Sequence, residues 1–159
     1  MDSNKGCGCP GSEMFQFTDI IETEPDSSTG KIESQLRQWP IQMHLINPTA
    51  PYYQEADVLL AADCVGYALG DFHRDFLKGK ALAIACPKLD EGQEMYLEKI
   101  KAWFEDAKIN TLTVLIMQVP CCMGLMNLVK QAVENSGRKV PVKLVVAGVQ
   151  GDILNEEWV

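Results

Sequence analysis

The sequence predicts an α/β fold: a three-layer α/β/α sandwich on a mostly parallel sheet of about five strands. Two patterns carry that expectation. Short runs of apolar and β-branched residues recur along the chain as ADVLLAAD, KALAIA, TLTVLIMQV and VKLVVAGV. Unbroken apolar runs of that length suit strands buried on both faces. Between them lie segments with apolar residues at helical spacing. Length sets the third bound. A chain of 159 residues fits one sizeable core, and an eightfold (β/α) barrel needs many more strand–helix units.

Taken in order, residues 1–33 read as a flexible cysteine-containing arm and linker, ending in the polar, turn-rich ETEPDSSTGK. Residues 34–159 read as one α/β/α domain. Pro40 pushes Trp39 toward an extended conformation. IQMHLI (41–46) reads as a first strand, stopped by NPTAP. ADVLLAAD (56–63) is a stronger one and runs into Cys64. YALGDFHRDFLKG (67–79) reads as a helix with Phe72 and Phe76 on one face and Gly79 as its stop. KALAIA (80–85) ends at Cys86 and Pro87. From Glu94 to Lys108, Tyr96, Ile100, Trp103, Phe104 and Ala107 share one helical stripe. TLTVLIMQV (111–119) leads to Cys121 and Cys122. Leu125, Leu128, Val129, Ala132 and Val133 line a further helix, and VKLVVAGV (142–149) reads as the final strand.

Charge narrows the partners. Lys plus Arg number 14 against 22 Asp plus Glu, for a net charge of -8. That balance disfavours a phosphate-backbone binder, so no nucleic acid is expected. No apolar run approaches the roughly 18–20 residues of a membrane span, and no membrane insertion is expected. The first residues lack the apolar stretch of a secretory signal. A cytoplasmic location is therefore expected, where thiols are kept reduced.

Three strands thus run into cysteine: Cys64, Cys86 and the pair Cys121–Cys122. In a parallel sheet the carboxyl ends of the strands share one edge, and ligand crevices form there. Adjacent strands lie about 4.8 Å apart, so their loops can gather thiols. A single cysteine at a strand end is commonly a small core residue; three such ends favour a common site. Cys121 and Cys122 also precede a helix start near Gly124, where the helix dipole favours thiolate. Cys7 and Cys9, in GCGCPG, form a second pair that could close over the same edge or belong to a loose terminus. Thiolates suit zinc, copper(I) and iron–sulfur clusters. The compact Cys-x2–4-Cys hairpins of zinc sites and the common ferredoxin runs are both missing. An all-cysteine set without a matching histidine tilts toward a cluster.

LRQWPIQMHLINPTAPYY, ADVLLAADC, DFHRDFLKGK, IACPKLD and VPCCMG together resemble the C-terminal domain of a family of anaerobic bacterial four-iron–four-sulfur binding, ferredoxin-like proteins. CGCPGS resembles the segment preceding that domain. The resemblance runs from Cys7 to about Val149, without the upstream ferredoxin module of larger members. It departs from the family at Met123, where a glycine is usual. It implies redox or iron–sulfur company and a redox protein as partner, without by itself placing a cluster in this chain; the cofactor expected is an iron–sulfur cluster, with 4Fe-4S as the family's type and zinc as the alternative. From their placement at the strand ends and in the arm, the expected cofactor-binding residues are Cys7, Cys9, Cys64, Cys86, Cys121 and Cys122, with Cys64, Cys86, Cys121 and Cys122 as metal ligands and Cys121 preferred over Cys122 as the nearer to its strand.

Other groups speak more softly. His73 reads as a satisfied histidine or as a proton carrier near the same edge. His44 reads as structural. Asp63 and Asp90 flank the cysteine loops and suit capping, ligand orientation or proton transfer. Lys88 is a solvated lysine or a counter-charge to thiolate. CVGYALG and CCMGL do not satisfy the dinucleotide or phosphate-loop fingerprints, and no G-x-S-x-G elbow is present. Three function classes follow: an iron–sulfur or metal-binding redox protein first, a thiol redox enzyme or switch second, and a zinc-binding or metal-free structural or regulatory domain third.

Overall fold

The computed structural model describes residues 13–17 and 30–159. Two short strands come first, β1 (Phe15–Gln16) and β2 (Gln38–Trp39), paired antiparallel. The apolar runs then form β3 (Asp57–Ala62), β4 (Ala81–Ala85), β5 (Thr111–Met117) and β6 (Val142–Ala147). These four are parallel, and β7 (Ile153–Trp158) adds to β6 antiparallel, giving the order β4-β3-β5-β6-β7. In β3 the whole run Val58–Ala62 is buried, as expected for a strand covered on both faces.

Three helices connect the strands: α1 (Val65–Ala68), α2 (Gln93–Glu105) and α3 (Met123–Asn135). Helix α2 buries Tyr96, Ile100, Trp103 and Phe104; α3 buries Leu125, Met126, Leu128, Val129 and Ala132. Both stripes follow helical periodicity, and the two helices pack on one another. The chain steps one way from β3 to β4 and the other way from β4 through β5 to β6. Right-handed crossovers therefore put α1 and the turn after it on the face opposite α2 and α3. The result is a three-layer α/β/α sandwich around a mixed, mostly parallel five-stranded sheet.

The outer edge of β4 is closed in an unusual way. The segment expected as a strand at 41–46 contributes only a parallel bridge, Gln42 to Ile84. Ile84 N–H donates to Ile41 O, and Met43 N–H donates to Ile84 O. Further along the edge, the fully buried Gln38 side chain stands in for a strand. Its Nε2 donates to Leu82 O at 2.5 Å, and its Oε1 accepts from Leu82 N–H at 3.2 Å. Tyr53 Oη donates to the same carbonyl at 2.9 Å. At the other edge β7 is exposed throughout. It carries Glu156 and Glu157, charges of the kind that discourage edge-to-edge pairing, and Glu156 is ion-paired to Lys143.

The single helix expected at 67–79 is not formed. Leu69 is extended, and the segment divides into α1 and a π-helical turn at His73–Leu77. Gly70 lies at the division, where a helix-interior glycine costs about 1 kcal/mol relative to alanine. The expected five strands were reached with different members: 41–46 is lost and β7 gained. No helix among the described residues is long and apolar enough to cross a membrane.

Candidate functional site

Strand β3 is the centre of the site because the sheet reverses direction on either side of it. The strand that follows it in sequence lies to one side and β5 lies to the other. Such a reversal parts the loops beyond the carboxyl ends and leaves a crevice, the usual ligand position in open α/β sheets. The loop after β3 brings Asp63 and Cys64. The loop after β4 brings Cys86, Pro87 and Asp90. The loop after β5 is a 3-10 turn, Pro120–Cys122, that leads straight into α3.

Glycine contacts show how closely these loops meet. A Cβ added at Gly124 would lie 3.1 Å from Pro87 Cβ, so the start of α3 abuts the β4 loop. A Cβ at Gly151, where φ is +89°, would lie 2.7 Å from Ala68 O. The β6–β7 turn therefore rests on α1, and only glycine permits that approach. Asp63 N–H also donates to Ala85 O, which joins the β3 loop to the end of β4, so the four loops form one continuous rim.

Within the rim the best-connected polar group is Asp90. Its Oδ2 accepts from Cys86 N–H at 2.9 Å and from the hydroxyl of the buried Tyr96. Burial pushes the Tyr96 phenol up, and the Asp90 carboxylate pushes it further. The His44 ring stacks at a tilt on Tyr96, with centroids 4.6 Å apart. Asp63 lies close enough to Asp90 to feel its charge. Burial and then that carboxylate push Asp63 up, against the Gln42 amide, whose Nε2 donates to Asp63 Oδ1 at 3.5 Å. Both carboxylates were legible as flanking groups; Gln42 and Tyr96 were not, because one sat in an expected strand and the other on a core stripe.

The cysteines divide by exposure. All four described ones are free thiols: Cys64 and Cys121 exposed, Cys86 half-buried, Cys122 buried. The expected thiolate at the start of α3 is not what Cys122 offers. Burial pushes its thiol up, a backbone hydrogen bond from Met117 pulls it down, and nearby Cys121 and Cys64 raise it again. Desolvation is the largest of these effects. Cys7 and Cys9 lie outside the described residues. His73 is a satisfied histidine, its Nδ1 accepting from Gln35 N–H at 3.0 Å. Lys88 is exposed.

This geometry does not fit the cofactors expected. Among the described residues, no group of three or more His, Cys, Asp or Glu side chains could hold a metal ion. A cluster or a structural zinc needs several donors converging on one point. Here two thiols face solvent and one is packed inside. The iron–sulfur redox function, the 4Fe-4S cofactor and the zinc alternative are therefore corrected.

Comparison with known proteins points the same way. A family model described as a Rossmann-like domain matches residues 50–159. An "uncharacterized protein" of Archaeoglobus fulgidus is 32% identical over 121 residues, covering 75% of this chain and 83% of that protein. No solved structure matches. The resemblance to the four-iron–four-sulfur, ferredoxin-like family is overturned: short motifs around the cysteines suggested it, but neither the matched family nor the donor geometry supports it.

Proposed function

Since this chain belongs to the Rossmann-like domain family, matched over residues 50–159, we propose that it is a metal-free regulatory binding domain whose ligand sits on the carboxyl edge of the parallel sheet. The observation that carries this is the reversal of strand order at β3, flanked by Asp63 and Cys64 on one side and Cys121 and Met123 on the other. Cys64, Cys86 and Cys121 act here as soft, polarizable contact groups, while Cys122 packs beneath them. Asp63 and Asp90 make the crevice unfavourable to phosphate, which supports a neutral or cationic ligand with an apolar face over a nucleotide. The net charge of -8 supports a partner other than nucleic acid. Two exposed free thiols support work in a reducing compartment such as the cytoplasm.

The test is amide-resolved NMR of the full chain titrated with adenosine, AMP and an aromatic amine. Adenosine and the amine are expected to shift residues 63–67, 86–90 and 119–124, with AMP weaker than adenosine. Tightest binding by AMP, or shifts confined to another surface, would overturn the assignment. Chelator treatment is expected to leave the melting temperature unchanged; a fall would overturn the metal-free part.

A further inference from the structure

We propose that the carboxyl edge receives a cationic amphipathic helix of a protein partner. This rests on the edge being the working surface and adds what occupies it. Each of the four parallel strands is followed by an exposed large apolar residue. Tyr67 is 95% exposed, Leu89 80%, Met123 43% and Val149 67%. Scattered exposed apolar residues are ordinary, but here one stands on every loop of a single edge. The loops meet in two pairs, through Gly124 and Pro87 and through Gly151 and Ala68, and the Asp63 N–H to Ala85 O bond joins the β3 loop to the end of β4, so the apolar groups stand on one rim.

Charge selects the occupant. The same loops carry Asp63, Asp90, Glu91 and Asp152 against Lys88. Burial and then the charge of Asp90 disfavour the Asp63 carboxylate, and a cation beside the pair would offset both. An apolar surface edged with carboxylates complements a helix with an apolar stripe and basic flanks. The dimensions agree. Four adjacent strands span about 14 Å at their usual spacing, and about ten helical residues cover the same length. By contrast, the open edge of β7 is guarded by its glutamates, and the groove between α3 and β6 has nothing that selects an occupant.

The experiment uses the full chain and two synthetic peptides of about 18 residues, long enough to hold a helix on a surface. One carries a leucine stripe flanked by lysine, the other the same stripe flanked by glutamate. The lysine peptide is expected to bind, shift the amides of all four loops, and weaken as salt rises. The Tyr67→Ser/Leu89→Ser double variant is expected to melt like the parent, because both side chains are exposed, yet to bind at least about tenfold more weakly. Undiminished binding by that variant would mean charge attraction alone and would overturn the proposal. Equal binding of the glutamate peptide, or shifts outside the rim, would overturn it too. If adenosine or the amine maps to the edge while the lysine peptide does not bind, the helix partner fails and the binding domain stands. If neither binds there, both fail.

Discussion

Replacing Gln38 with leucine isolates the device that closes the β4 edge. The side chain is fully buried and makes both hydrogen bonds to Leu82 that a neighbouring strand would supply. Leucine keeps the bulk and removes both. The Leu82 carbonyl still accepts from Tyr53, but the Leu82 N–H loses its acceptor. A buried donor left without a partner costs about 1–3 kcal/mol, and a lost net hydrogen bond about 1. Gln38→Leu should therefore destabilise by about 2–3 kcal/mol. Tyr53→Phe leaves the carbonyl with Gln38 and should cost about 1 kcal/mol. The double variant strips the carbonyl of both donors, so its loss should exceed the sum of the two. Urea unfolding followed by tryptophan fluorescence reads all three, with an unchanged urea dependence showing that only stability moved. A Gln38→Leu loss below about 0.5 kcal/mol would refute the edge-closing role.

Two further substitutions probe the rim. The folded pKa of Asp63 is raised, so between its unfolded and folded values the native state holds the proton more tightly and stability falls as pH rises. Asp63→Asn should therefore be more stable than the parent at neutral pH, with the difference shrinking toward the ordinary value of 3.8; a parent more stable at neutral pH would contradict this. Gly151→Ala should cost about 2–4 kcal/mol through left-handed strain and a clash with Ala68 O. Faster amide exchange in α1 and the β6–β7 turn, measured on the same variant, locates the damage.

The buried strands were legible because burial on both faces leaves a pattern that little else produces. Val58–Ala62 and the run in β5 read as strands from composition alone, within a residue or two of their ends. What escaped depended on partners distant in sequence. Gln42 pairs with Ile84, and Gln38 with Leu82, through groups whose roles no local pattern encodes. β7 escaped because ILNEEW sets polar and acidic residues between its apolar ends and is buried on neither face. Its place is fixed by the register with β6, including a bulge at Val146–Ala147 that lets the antiparallel return fit.

The site divides along the same line. Parallel topology alone predicts that Cys64, Cys86 and Cys121 follow strands whose carboxyl ends share one edge. Topology places backbones, however, and metal binding is a matter of where sulfur atoms point. Cys121 and Cys122 are neighbours in sequence, but a tight 3-10 turn exposes one thiol and buries the other. The direction of a side chain in such a turn depends on its packing, here the fit of the α3 start against Pro87. Exposure at the remaining loops is settled the same way: Tyr67 lies in a helix, as its spacing suggested, but packing leaves it facing solvent. Among the described residues the edge gathers cysteines and exposed apolar groups without three converging donors, which supports contact, where soft side chains adapt to a partner, over coordination, where geometry must be fixed.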